Sequence, residues 1–196
     1  MRFVLASQSP ARLATLRAAG IEPEVIVSGV DESQVTGPGA ADVASRLAQL
    51  KCRAVAGDLP SDALVVGCDS VLALDGDILG KPDDAADAVG RWRRMRGRSA
   101  VLHTGHCVSH GGREITRGAA TTVHFADVDD AEIEAYVASG EPLWVAGAFT
   151  IDGLGGAFVR GIEGDHHNVV GISLPLLREV LAELGVAWTD LWAPRP

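Results

Sequence analysis

The run Ala63-Leu64-Val65-Val66-Gly67-Cys68 is apolar without a break, the pattern of a strand buried on both faces. Phe3 to Ala6 and Glu24 to Val27 read as shorter strands. Between them, Ser9-Pro10 has the form of an N-cap with proline at the first helical position, opening a helix that runs to about Ala19 and stops at Gly20. Val43, Leu47, Leu50 and Ala54 recur at helical spacing and predict a helix over about 42–56. A further helix is predicted from about Asp84 to Met95, one from Asp129-Asp130 to about Ala138, and a last amphipathic one from Ser173 to Leu184.

Turn residues set the connections. Asp75-Gly76-Asp77 reads as a hairpin turn leading to Ile78-Leu79 and Gly80-Lys81-Pro82. Ala100 to His110 and Glu114 to Phe125 read as two long strands joined at Gly111-Gly112, and Gly147 to Gly164 as loops with a short strand. Early βα alternation followed by long hairpins predicts an α/β fold with a mixed sheet. With no repeat, low-complexity tract or linker, residues 1–196 are expected to form a single domain. No Gly-x-Gly-x-x-Gly opens the first helix and no Gly-x-x-x-x-Gly-Lys-Ser/Thr occurs, so the Rossmann and P-loop readings fail.

Composition narrows the function classes. The hydrophobic fraction is 47% and the charged fraction 22%, ordinary for a globular chain. A net charge of −9 argues against a nucleic acid polymer as partner, though a nucleotide could bind in a locally basic pocket. Cys52, Cys68 and Cys107 are odd in number and widely spaced, which disfavours both a disulfide framework and a zinc site. The apolar start is too short for a signal peptide, and no run approaches the roughly 20 residues that span a bilayer. A cytoplasmic protein without a membrane partner is expected.

Several residues carry chemistry. Ser7 and Ser9 flank a helix start whose free N–H groups attract phosphate, and Arg12 adds a two-donor cation. The competing reading is a helix cap beside a surface arginine. Asp69 follows the buried strand, where open α/β sheets place ligand crevices. A carboxylate there is costly unless paired, hydrogen-bonded or metal-bound, the alternative being a structural cap of the next turn. Cys68 beside it reads as a small buried hydrophobe. Lys51 falls on or beside its helix's buried stripe, either snorkelling or aimed at a phosphate site. Lys81, held extended by Pro82, is presented from a turn, and Glu32 is a loop carboxylate for a metal or for solvent. Hydroxyls, cations and acidic groups together suit metal-assisted phosphoanhydride cleavage.

Other clusters read as bland. The arginines from Arg91 to Arg98 suit a solvated helix end. The histidines lack zinc-site spacing, although His166-His167 suits a pocket wall. Trp144, Trp188 and Trp192 suit core or interface positions better than base stacking.

In order along the chain, these residues resemble the Maf (septum formation) family of nucleotide pyrophosphatases. The resemblance is carried by Leu5-Ala6-Ser7-Gln8-Ser9-Pro10-Ala11-Arg12, Val30-Asp31-Glu32, Leu47-Ala48-Gln49-Leu50-Lys51, Val66-Gly67-Cys68-Asp69-Ser70 and Leu79-Gly80-Lys81-Pro82. It continues through Glu141-Pro142-Leu143 to Gly147, Gly153-Leu154-Gly155-Gly156 and Val170-Gly171-Ile172-Ser173-Leu174-Pro175. It implies an inosine-triphosphatase-like α/β fold, with an elongated mixed sheet flanked by helices and two lobes around a cleft, commonly dimeric. It implies hydrolysis of a nucleoside triphosphate, common or modified, to NMP and pyrophosphate with a divalent cation, Mg²⁺ or Mn²⁺. Asp69 matches the general base, and Glu32 the acidic residue near the metal. Ser7, Ser9, Arg12, Lys51 and Lys81 match residues that hold the triphosphate.

Three positions bear on substrate choice. Relatives acting on UTP and dTTP carry Arg, Thr and Gln where this chain has Ala11, Ser70 and Asp152. Relatives acting on methylated GTP carry Trp, Gln and Glu there. This chain matches neither set. A carboxylate at 152 accepts hydrogen bonds only, which suits the donor-rich edge of guanine. Two competing functions are a nucleotide-binding regulator of cell division with little turnover, and a phosphatase using Asp69 as nucleophile. The second lacks the Asp-x-Asp pairing of such enzymes.

Overall fold

The computed structural model describes residues 1–193, so 194–196 of the expected domain lie outside the described residues. Its centre is a seven-stranded mixed sheet in the order β2-β1-β3-β5-β6-β7, with β4 also paired to β3. The strands are β1 (Phe3–Leu5), β2 (Glu24–Val25), β3 (Leu64–Leu74), β4 (Asp77–Leu79), β5 (Ser99–His110), β6 (Arg113–Phe125) and β7 (Val159–Glu163). β1 lies parallel to β2 and β3, and every other pairing is antiparallel. The helices are α1 (Pro10–Ala18), α2 (Ala40–Ala56), α3 (Ala85–Met95), α4 (Asp130–Ala138), α5 (His166–Val170) and α6 (Leu174–Glu183). Among the described residues, no helix is long and apolar enough to cross a membrane.

Most elements form where the pattern predicts. Ser9 caps α1 by accepting from the Arg12 N–H, with Pro10 in the first turn, and Gly20 takes a positive φ of 84° just past its end. The Asp129 carboxylate and Glu132 form a reciprocal capping box at α4. The main correction concerns β3, which does not end at Cys68. It runs on through Asp69 to Leu74, because Val71, Leu72 and Leu74 are buried on the far side of the charge.

Two glycines decide how α2 meets the sheet. A Cβ at Gly67 would stand 2.7 Å from the Cys52 backbone nitrogen, and one at Gly105 would stand 2.6 Å from the Ser45 Cα. The helix therefore lies directly on β3 and β5, closer than any side chain would permit.

Alternation along β3 divides the packing. Val65 packs with Ala48 and Cys52 of α2, whereas Leu64, Val66 and Cys68 pack with Leu16 of α1 and Leu177 and Leu181 of α6. Beyond Asp69, Leu72 and Leu74 join Trp92, Phe125, Tyr136 and Phe149 in a second lobe. Trp92 sits at the centre of that lobe, with edge-to-face contacts to Phe125, Tyr136 and Phe158 at ring-centroid separations of 5.6, 5.4 and 5.8 Å.

Candidate active site

The site lies where one edge of β3 is open. β1 pairs with β3 only as far as Val66, and pairing with β4 begins at Leu72 of β3. From Gly67 to Val71 that edge has no strand beside it among the described residues, while the other edge is paired to β5 throughout. The gap falls between the two apolar clusters and forms the cleft between the lobes. Asp69 sits in the middle of it, 7% exposed.

Because strand side chains alternate, Asp69 and Ser70 face opposite sides of β3. Asp69 faces α2, where its Oδ1 accepts from Lys51 Nζ. The same ammonium pairs with Glu32 Oε1 at 2.7 Å, so one cation gathers two carboxylates. Lys51 is 8% exposed, and its ammonium is thus aimed into the site rather than snorkelling to solvent. Asp69 Oδ2 makes no hydrogen bond among the described residues.

On the opposite side, Arg12 is 9% exposed and each of its three nitrogens donates one hydrogen bond, leaving an N–H free on each Nη among the described residues. Nε donates to the Gly171 carbonyl at 2.7 Å, Nη1 to Ser7 Oγ at 3.1 Å and Nη2 to Ser70 Oγ at 3.1 Å. Ser70 and Thr104 share a hydroxyl contact of 2.9 Å, and the Thr104 hydroxyl donates to the Asn168 carbonyl at 3.1 Å. Asn168 in turn donates to the Leu102 carbonyl and to Thr121 Oγ1. The reading of Arg12 as a surface residue is thereby excluded.

His106, fully buried, braces the same side. Its Nδ1 donates to the Thr104 carbonyl, so Nε2 is bare and accepts the Ser173 N–H at 2.8 Å. Burial, aided by the positive charge of Arg12, lowers its pKa to about 4. The neutral ring pins the Gly171–Ser173 turn whose carbonyl holds Arg12. Cys68 behaves as the buried hydrophobe expected, its thiol raised by burial to about 12.

The third wall is the turn after β4. Lys81 is exposed there, and the Gly80 carbonyl accepts from the Gly147 N–H at 3.0 Å. Arg91 was expected among solvated arginines, but its side chain is only 12% exposed and points to this turn. The signal was present in the pattern: 91 falls with Ala88, Trp92 and Met95 on the buried stripe of α3. Arg93, Arg94, Arg96 and Arg98 do form a surface network with Asp75, Asp77 and Asp130.

The three substrate-choice residues lie on the Arg12 side. Asp152 lines a groove of about 370 Å³ with Ala14, Thr15, Ala18, His166, His167 and others. Ala11 is one turn ahead of Thr15, whose hydroxyl donates to its carbonyl. Glu141, part of the family resemblance but given no role in it, ties down the Asp152 loop by accepting from Thr150 Oγ1 and from the backbone of Leu154 and Gly155. A larger cavity of about 740 Å³ continues along α1 among Arg17, Arg178, Trp188 and Trp192, but does not include Asp69, Lys51 or Lys81. Trp144 and Trp192 are 76% and 55% exposed, so neither is a core residue.

Fold and site together define a two-lobed α/β protein whose cleft sets a carboxylate pair among cations and hydroxyls. Residues 2–184 match the family described as Maf-like protein. A nucleoside triphosphate pyrophosphatase of Salinispora tropica is 61% identical, covering 98% of this chain and 88% of that protein. One of Streptomyces coelicolor is 59% identical, covering 98% and 95%. Among solved structures, the Staphylococcus aureus Ham1 protein aligns over 94% of this chain and 100% of its own, with a TM-score of 0.52 at 16% identity, a likeness of fold. The chain belongs to the Maf-like family.

Proposed function

We propose that this chain is a nucleoside triphosphate pyrophosphatase, cutting between the α- and β-phosphates to release NMP and pyrophosphate. The observation that carries this reading is the convergence of Asp69 and Glu32 on Lys51 at the open edge of β3. Lys51 holds one oxygen of Asp69 and leaves Oδ2 to take a proton from water. The water oxygen attacks the α-phosphorus, the bond to the α–β bridging oxygen breaks, and that oxygen leaves with pyrophosphate.

Lys51 and Lys81 offset charge building on the leaving group, and Arg12, held rigid by Ser7, Ser70 and Gly171, meets the phosphates from the other face. Ser7 and Ser9 add hydroxyls at the head of α1. Asp69 and Glu32 fit a divalent cation, Mg²⁺ or Mn²⁺, as a pair of hard oxygen donors. Mg²⁺ is commonly held by one or two carboxylates together with substrate phosphates and water. Among the described residues no group of three or more His, Cys, Asp or Glu side chains could hold a metal alone, which suits a cation shared with substrate. Such a cation neutralises phosphate charge when bound.

The α1 groove beside Asp152 suits the base, and a carboxylate there, which only accepts, favours guanine-type or modified purine triphosphates. A pyrophosphate-release assay over common and modified NTPs, with and without divalent cation, tests the proposal. Turnover of at least one NTP to NMP and pyrophosphate is expected. Tight nucleotide binding with no turnover of any NTP would favour the regulator reading, and orthophosphate as product would favour a phosphatase.

A further inference from the structure

Arg91 stands apart from its neighbours on α3. Its side-chain exposure of 12% compares with 47% for Arg93 and 40% for Arg94. Nη1 donates to the Gly80 carbonyl at 2.7 Å and Nη2 to the Lys81 carbonyl at 3.3 Å. Those carbonyls belong to the peptide planes on either side of the Lys81 α-carbon. Holding both planes fixes the Lys81 backbone torsions, and with them the direction of its Cα–Cβ bond.

The clamp is itself braced. Arg91 pairs with Asp87 Oδ2 at 2.6 Å, and the same oxygen accepts the Asp83 N–H at 3.0 Å, just past Pro82. The Arg91 guanidinium holds the Asp87 carboxyl below the usual carboxylate range. The Gly80 carbonyl is shared with the Gly147 N–H, which ties the turn to the second lobe. Burying a guanidinium is costly, and here Nε has no hydrogen-bond partner among the described residues. A solvated arginine would give α3 the same favourable charge near its C-terminus. What burial adds is control of the turn.

We propose that Arg91 is a positioning residue that sets the direction in which Lys81 presents its ammonium to the phosphate chain. This rests on the assignment of Lys81 to the triphosphate, so the test separates the two. Arg91→Met keeps most of the buried stem and removes the donors; Arg91→Lys keeps the charge but lacks the planar fork needed to span both carbonyls. Both are compared with Lys81→Ala and with the Arg91→Met/Lys81→Ala double variant.

Displacing a substrate-contacting group costs up to about 100-fold in rate, so Arg91→Met should lower kcat by roughly 10- to 100-fold, with Arg91→Lys intermediate. Because Arg91 acts through Lys81, the second change in the double variant should cost less than about threefold. Amide exchange at Asp83 and Gly147 should quicken in Arg91→Met, a readout independent of turnover. If Arg91→Met does not fold, Arg91→Lys carries the same comparison, including its own double variant with Lys81→Ala. The inference is overturned if Lys81→Ala loses activity while the Arg91 variants keep theirs, or if the two losses multiply. Full activity in Lys81→Ala would instead remove the Lys81 assignment, and this inference with it.

Discussion

Lys51 of α2 and Asp69 of β3 form a buried ion pair beside Gly67, where the helix backbone lies against the strand without an intervening side chain. The pair is asymmetric. Lys51 has a second partner in Glu32, whereas Asp69 has no other cation among the described residues.

Removing Lys51 therefore leaves two facing carboxylates without their shared cation, while removing the charge of Asp69 leaves Lys51 paired. Breaking a buried pair costs about 3–5 kcal/mol when a charge is stranded. Lys51→Met should lose stability on that scale, and Asp69→Asn about 1 kcal/mol. Denaturant midpoints of both variants without nucleotide check this. Equal losses would mean that the pairing is not the main restraint on Asp69.

His106 predicts a pH dependence. Its folded pKa of about 4 lies below the ordinary 6.5, so between those values the unfolded chain binds a proton that the folded chain does not. Its contribution to stability is complete above pH 6.5 and is lost as pH falls towards 4. The total is about 3 kcal/mol, at roughly 1.4 kcal/mol per pH unit. His106→Gln should flatten this part of the profile, measured as the difference between variant and parent in denaturant curves at pH 7, 5.5 and 4.5. Parallel profiles would show that His106 titrates normally.

Much of the fold was legible because long elements repeat their pattern several times. α2, α3, α6 and the β5–β6 hairpin each bury a regular set of positions, and the side-chain caps of α3 and α6 are local. β3 was cut short because a charged residue inside an apolar run reads as an end. Nothing local says that Lys51 will pair with Asp69 from a distant helix. The short α5 was not predicted, since five residues are too few to establish a period.

The same reason limits the site. Lys51 reaches Asp69 on one face of β3 because two glycines admit α2 to the sheet, and Arg12 reaches Ser70 on the other face, at the stretch of β3 that β1 leaves open beyond Val66. Those are facts of packing and register, which pattern alone does not carry. Glu141 acts on its loop through backbone contacts, a role that leaves little trace in residue spacing; the buried stripe of α3 takes in Arg91 but does not tell which carbonyls it holds.

Asp152 gives a prediction about substrate choice. If its carboxylate accepts from the base, guanine-type triphosphates should be preferred over UTP and dTTP. Asp152→Asn, which replaces one acceptor oxygen with a donor, should narrow the ratio of kcat/KM values by roughly 1–3 kcal/mol. A parent enzyme that turns over UTP or dTTP as efficiently as GTP would contradict this base contact and leave the pyrophosphatase reading standing.

The most direct test of the central claim follows the water. Hydrolysis of an NTP in ¹⁸O-labelled water, with products resolved by mass, shows which phosphorus is attacked. Asp69 activating water against the α-phosphorus predicts label in NMP and none in pyrophosphate. It also predicts that Asp69→Asn, still folded, forms both products roughly 10²–10⁴-fold more slowly. Label in pyrophosphate, or a folded Asp69→Asn with undiminished turnover, would contradict it.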